Sequence, residues 1–267
     1  MRRTALNSAD YLAELARRQL ADYDAHQPGL FFRDAPRPLT MAQAYAVQQQ
    51  VAALRAARGE VIAGYKTGCV SEAVQRQLGI DRPVFGYVFE TELYVSGVTL
   101  DPARFENLAI EGEFAVRMGM DVPDPERLAQ RPEEAIAAVL PVIELHNNVF
   151  RGAARTAEEL IANNALHAGV VLPQSGGSQA LEDQITVFRN GAPMGVQTAG
   201  AVPGGLWASL LSVARHAASS GGWLRRGDYV LTGSPLPLYP VEPGDVIEVR
   251  SRHSGEVQAQ VAAAGRG

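Results

Sequence analysis

One cysteine, Cys69, is all the chain has in 267 residues. A single thiol excludes an intrachain disulfide framework and any zinc site built from cysteines. Aromatic residues are sparse at 7%, and no basic block interleaves with them, so the footprint of a nucleic-acid protein is missing. No run of about 18 apolar residues occurs, which excludes a predicted membrane-spanning helix. The first residues, MRRTALNSADYLAEL, are basic but lack the apolar centre of a signal peptide. These absences predict a soluble, cytoplasmic protein with neither nucleic-acid nor membrane partners. Motifs are missing as well: there is no G-x-G-x-x-G, G-x-x-x-x-G-K-[ST], H-E-x-x-H or G-x-S-x-G. Nucleotide binding, zincin chemistry and α/β-hydrolase catalysis therefore lose their usual support.

What is present is ordinary in bulk. Hydrophobic residues make up 46% and charged ones 20%, with a formal charge of −5 from 24 basic and 29 acidic side chains. That is the balance of a globular protein long enough for a real core. The texture changes along the chain. NSADYLAELARRQLADYD predicts an amphipathic helix with Leu12, Leu15, Ala16, Leu20 and Tyr23 on one stripe. Thr40 and Gln43 form a capping-box pattern opening a second helix that Gly59 ends. From Glu60 onward short β-like runs take over: VIAGYKTG, VFGYVF, LAIEGEFAVRM and AVLPVIELHNNVF. Thr156 and Glu159 predict a helix over AEELIANNALHAG, and LWASLLSVARHAAS predicts another. YVLTGS, VIEVRS and EVQAQVA close the chain as an antiparallel pattern. Without regular βαβ alternation, this predicts an α+β fold with a mixed sheet, a helical region 1–59 and a β-rich region 60–267.

Candidate chemistry centres on NLAIEGEFAVRMG. In a strand, Glu111 and Glu113 share a face with Ala115 and Arg117, while Ile110, Gly112, Phe114, Val116 and Met118 take the other. Alternating acids also mark the wet side of a strand, so this pattern by itself admits both readings. A third acid, Glu144, stands alone in the apolar run from Ala135 to Val149. Burying an unpaired carboxylate is costly, so such a residue finds a cation, a metal or several donors. Three carboxylates together make an all-oxygen site suited to Mg2+, Mn2+ or Ca2+. Lys66 is the only charge between Glu60 and Glu72, set between Gly64 and Gly68. It either meets a substrate carboxylate or moves a proton, or else snorkels to solvent. His146 and His167 lie near these segments without ligand spacing and are read as structural groups or neighbours of a site; Cys69 is read as a small packed residue.

Taken in order, LTMAQAYAVQQQVAALRAARGEVIAGYKTG, VQRQLGIDRPVFGYVF, EGEFAVRM, PVIEL, IANNALHAGVVL and GDYVLTGS with VEPGD resemble the 2-keto-4-pentenoate hydratase family of the fumarylacetoacetate hydrolase superfamily. The resemblance implies that Glu111, Glu113 and Glu144 hold Mg2+ or Mn2+ and that Lys66 acts on the substrate. It implies a β-rich catalytic roll over 60–267, a homo-oligomer, and a 2-hydroxy-dienoate or its 2-oxo-enoate tautomer as small-molecule substrate. Gly233 and Ser234 are candidates to meet the substrate anion, and Asn163, Asn164 and His167 stand near it, with Asn164 the candidate for substrate contact. The resemblance leaves open hydration, decarboxylation of a 2-oxo-3-enedioate, hydrolysis of a β-dicarbonyl C–C bond, and a catalytically silent metal and oxo-acid binder. Three places depart from the family pattern. LHNNVFRG replaces an Asp-Ser-Arg-like stretch, Leu166 stands where a serine is frequent, and Val84 stands where an acid is frequent.

Overall fold

Leu15 and Ala16 sit at the centre of the first apolar stripe, and both are buried in the helix Ser8–Asp24. In the computed structural model, which describes residues 8–27, 38–148, 156–178 and 182–263, the second helix spans Met41–Ala57. It opens on the capping box: the Thr40 hydroxyl accepts from the Gln43 N–H, and the Gln43 side chain accepts from the Thr40 N–H. Gly59 follows its end with φ +95°, the left-handed backbone for which glycine carries least strain.

The strands are β1 (Ile62–Gly68), β2 (Val84–Phe89), β3 (Leu93–Val95), β4 (Val98–Leu100), β5 (Leu108–Met118), β6 (Ile136–Asn147), β7 (His167–Leu172), β8 (Gln184–Arg189), β9 (Ala192–Thr198), β10 (Tyr229–Leu231), β11 (Tyr239–Pro240), β12 (Val246–Ser251) and β13 (Glu256–Val261). One sheet runs β2-β1-β10-β5-β6-β7-β3, with β11 also on β5; the other runs β4-β13-β12-β8-β9. Pairings are mixed. β1–β10, β3–β7 and β4–β13 are parallel, and the remaining named pairs are antiparallel. This is the expected α+β arrangement.

The two sheets pack face to face through the even residues of β5. Ile110, Phe114, Val116 and Met118 are buried with Val187 of β8 and Val249 of β12. Gly112 sits where the sheets approach closest: a Cβ there would lie 2.4 Å from a Val187 methyl and 2.9 Å from a Val249 methyl. The helix Gly205–Ser219 adds Leu206, Leu210 and Val213 to the same core. A second cluster joins the amino-terminal helices to the other side of the large sheet, bringing Leu15, Ala44 and Val47 onto Val84, Leu160 and Leu166.

The sequence expectation differs from the structure in one helix. Thr156 does cap it, accepting from the Glu159 N–H, but it ends at Ala162. Asn164, Ala165 and Leu166 then take φ of +51°, +51° and +63°, and His167 starts β7. The chain turns because this segment lies on Gly86 of β2, where a Cβ would come within 2.8 Å of the Asn164 carbonyl oxygen. Among the elements not anticipated, a helix and a hairpin carry clear signals in the sequence. The helix Glu72–Leu78 is capped by Ser71 and ends at left-handed Gly79; the β8–β9 hairpin turns at Asn190-Gly191, both at positive φ. Among the described residues, no helix is long and apolar enough to cross a membrane.

Candidate metal centre

β5 and β6 pair over eleven positions, and their register sets the site. Glu111 lies directly opposite Glu144, and Glu113 opposite Val142. Like charges across a strand pair repel, so this register needs a compensating cation. Lys66 reaches the same face through β10: it is level with Leu231, which is level with Ala115 of β5. The alternation expected for NLAIEGEFAVRMG therefore holds, but the acid face is dry at its centre, with Glu111 half-buried and Arg117 exposed toward its ends. Glu113 and Glu144 are 0% exposed and Lys66 2%.

Glu144 is the hub. One carboxylate oxygen accepts from His167 Nδ1 at 2.7 Å and lies 3.2 Å from Lys66 Nζ. Its other oxygen, Oε2, lies 3.2 Å from His146 Nε2, which is itself 3.5 Å from Glu111 Oε2. Lys66 Nζ also donates to the Ala165 carbonyl at 3.3 Å, so the left-handed turn supplies a lysine acceptor. Glu113 is held from the far side, one oxygen accepting the Gly233 N–H at 2.5 Å. Gly233 has φ +87°, and a Cβ there would meet Val70 at 2.5 Å.

The charges divide unevenly. Burial alone would raise the Glu144 carboxyl, but the positive charges of His146 and Lys66 and the His167 hydrogen bond hold it well below the usual range. Burial and the neighbouring Glu144 push Glu113 well above it. Burial opposes charge on Lys66, and the three glutamates outweigh it, keeping the ammonium above its ordinary value. His146 is likewise raised to about 9, Glu144 overcoming its burial. Cys69 stands at the edge of the site with its thiol pushed up to about 11 by burial, so it stays protonated and is no nucleophile at neutral pH.

Four buried polar atoms here lack a hydrogen bond among the described residues: Glu113 Oε1, Glu144 Oε2, His146 Nε2 and His167 Nε2, although Glu144 Oε2 and His146 Nε2 lie 3.2 Å apart as an ion pair. Buried polar atoms are nearly always satisfied, and a cation between Glu111, Glu144 and His146 would give the last two a partner. One ligand atom each from Glu111, Glu144 and His146 lie within 4.8 Å of one another. Glu113 stands beside that trio, against Glu144, with its free oxygen available. Oxygen donors with one imidazole fit a hard or borderline divalent cation. His146, read from sequence as a structural group or a neighbour of a site, is part of the cluster. The signal was present: it is two residues after Glu144 in a strand, hence on the same face.

Behind the centre runs a buried polar chain that the sequence did not reveal. His167 Nε2 lies 3.9 Å from Glu92, which accepts from Arg55 at 2.7 Å and from the Tyr23 hydroxyl at 2.8 Å. Arg55 also holds Glu60 at 2.6 Å and stacks 3.6 Å over Phe89. Asn164 is used locally: its amide accepts from the Tyr87 N–H and donates to the Tyr87 carbonyl, both at 2.8 Å. Asn163 accepts from Gln19 at 2.6 Å. Ser234 donates to Gln197 at 2.9 Å and lines a cavity of about 500 Å3 whose floor is Lys66, Glu111 and His146.

The family model described as fumarylacetoacetate (FAA) hydrolase C-terminal matches residues 70–262. Among curated proteins, a 4-oxalocrotonate decarboxylase of Pseudomonas putida is 27% identical over 97% of this chain and 99% of its own. A TodF product hydratase of Pseudomonas putida is 30% identical, covering 83% and 84%, and a 2-keto-4-pentenoate hydratase of Paraburkholderia xenovorans is 27% identical, covering 85% and 86%. Among solved structures, 4-oxalocrotonate decarboxylase from Pseudomonas putida G7, complexed with magnesium and adipate, superposes with a TM-score of 0.86 at 24% identity, over 97% of this chain and 100% of that one. Fumarylpyruvate hydrolase from Pseudomonas aeruginosa, in complex with Mn2+ and pyruvate, gives 0.59 at 16% identity, over 75% and 89%. The two structural likenesses concern the fold; the family model spans most of the sequence, and this chain belongs to the fumarylacetoacetate hydrolase family.

Proposed function

We propose that the protein is a divalent-metal-dependent hydratase that adds water to a 2-hydroxy-2,4-dienoate, through its 2-oxo-enoate tautomer, to give a 4-hydroxy-2-oxo acid. The observation that carries this is the cluster of Glu111, Glu144 and His146, with ligand atoms within 4.8 Å of one another and Glu113 beside Glu144, behind a cavity whose floor is Lys66, Glu111 and His146. Glu111, Glu113 and Glu144 would hold Mg2+ or Mn2+, with His146 Nε2 as a nitrogen donor. A bound cation supplies Lewis acidity at the keto oxygen, where enolate charge develops.

The chain's own groups do the rest. Lys66 faces the cavity from the metal side and neutralises the substrate carboxylate or passes a proton. Ketonisation places a proton on C5, after which water adds across C3=C4, hydroxyl to C4 and hydrogen to C3. Lys66 is the ammonium positioned for such a transfer, anchored by Glu144 and the Ala165 carbonyl. The Gly233 N–H is committed to Glu113, so Gly233 positions a metal ligand, while the Ser234 hydroxyl at the cavity wall is held by Gln197 and the Leu236 N–H and would have to exchange a partner to meet substrate. Asn164 works by position, fixing the turn that carries Ala165 and Leu166. The same reading makes the protein a cytoplasmic homo-oligomer in which regions 1–59 and 60–267 serve one active site.

Incubating the Mg2+-loaded or Mn2+-loaded protein with 2-hydroxypenta-2,4-dienoate and following dienol absorbance tests the reading. Metal-dependent loss of absorbance is expected, without CO2 release. Turnover of no oxo-acid or dienoate by a protein that binds metal would leave a silent binder instead. Glu111→Ala and Glu113→Ala should each abolish the rise in melting temperature on adding metal.

A further inference from the structure

The cavity above the metal centre has two unlike ends. Its floor is polar: Lys66, Glu111 and His146. Its walls are built from Leu78, Val84, Leu160, Leu166, Leu236 and Leu238, with Val74 on the rim. Among the described residues that line it, the cations are Lys66 and His146; both sit at the floor, and both are taken up by Glu144 at 3.2 Å. The remaining polar lining groups away from the floor are the neutral side chains of Ser71, Gln77 and Ser234. The Ser71 hydroxyl accepts from the Val74 N–H as a helix cap, and Ser234 donates to Gln197.

Resting on the hydratase reading, we propose that the substrate is a monocarboxylate whose far end is an uncharged hydrocarbon group, alkyl or aryl, and not a second carboxylate. The metal end fixes the 2-oxo acid, so the rest of the molecule extends along the walls. Among the described residues no cation stands along these walls, so an ionised carboxylate there would shed water for hydrocarbon and a few neutral groups, which is the costly case for a buried charge. A hydrocarbon substituent gains by the same transfer.

The walls are not incidental apolar surface. Val84, Leu160 and Leu166 belong to the cluster that also buries Leu15, Ala44 and Val47 of the amino-terminal helices, so their positions are set by a packed core. Val84 and Leu166 both line this cavity, and both are apolar. A volume of about 500 Å3 lies within the range of pockets that enclose sizeable organic ligands, which suits a substituent larger than hydrogen. Val74 is 38% exposed, an apolar rim residue on the path of such a substituent.

Binding, not turnover, decides the matter. The Mn2+-loaded full-length protein is titrated calorimetrically with 2-oxobutanoate, 2-oxohexanoate, 2-oxooctanoate, 2-oxo-4-phenylbutanoate and 2-oxoadipate. Affinity should rise with each buried methylene, by about four-fold where burial is complete. 2-Oxoadipate should bind at least about ten-fold more weakly than 2-oxohexanoate, its chain-matched uncharged partner. Leu78→Arg, at a half-buried helix position, should reverse that order, with folding checked by melting temperature. Equal or tighter binding of 2-oxoadipate by the unaltered protein would overturn this inference and leave the metal-centre reading standing. Failure of every 2-oxo acid to bind in the presence of metal would overturn the hydratase reading itself.

Discussion

Replacing Lys66 by methionine keeps most of the side-chain volume and removes one charge from a dry cluster. Lys66 Nζ lies 3.2 Å from Glu144 and 3.3 Å from the Ala165 carbonyl, both buried. Removing one partner of a buried ion pair leaves the other uncompensated, at a cost of about 3–5 kcal/mol. Glu144 retains His146 and His167, so the lower end, about 3 kcal/mol, applies. At roughly 2–4 °C per kcal/mol for a chain of this size, metal-free Lys66→Met should melt about 6–12 °C below the unaltered protein. A bound divalent cation supplies positive charge at the same carboxylates and is no longer opposed by an ammonium. Saturating Mn2+ should therefore raise the melting temperature of Lys66→Met more than that of the parent. Differential scanning fluorimetry over a metal titration reads both effects. An unchanged melting temperature without metal, or an equal metal increment in the two proteins, would refute the electrostatic account of Lys66.

His146→Val should lower affinity for Mn2+ and Co2+ more than for Mg2+ by removing the imidazole donor, since nitrogen ligands favour the later metals; calorimetric titration of each ion measures the ratio. Gly112→Ala should destabilise by about 1–3 kcal/mol through overpacking, because its Cβ would sit 2.4 Å from Val187 and 2.9 Å from Val249, and chemical denaturation should show it in the absence of metal. His216, stacked on Phe85 at 4.4 Å, has its pKa lowered by burial from 6.5 to about 4. The unfolded chain binds that proton first, so the contribution is complete above pH 6.5 and is lost as pH falls toward 4, by at most about 3 kcal/mol before solvent screening. His216→Phe should flatten that limb of the stability–pH curve, and a slope unaltered by the change would refute it.

Much of the centre could be read from local pattern because strands convert spacing into direction. Glu111, Glu113 and Ile110 to Met118 fell on the faces that period-two alternation assigns, and Glu144 stood out as a lone acid in an apolar run. Directness of contact was not legible. That Glu111 meets Glu144 while Glu113 meets Val142 depends on the register of β5 with β6, which no local pattern fixes. The same holds for Glu92 and Arg55, whose contact joins segments 37 residues apart. The helix expected to run through Asn163–Leu166 stopped early because its propensity was overridden by a tertiary approach to Gly86. The β8–β9 hairpin, by contrast, announced itself by Asn190-Gly191, a strong short-range turn signal.

The three left-handed residues Asn164, Ala165 and Leu166 separate support from selection. Their backbone is pinned by the Asn164 amide on Tyr87, by the bare approach to Gly86 and by the Ala165 carbonyl under Lys66. None of those anchors involves the Leu166 side chain, which projects into the cavity. Leu166 itself is 4% exposed and packed with Val84 and Leu160, so an exchange at 166 reshapes the cavity wall and that packing together, while the backbone that presents it keeps its own anchors.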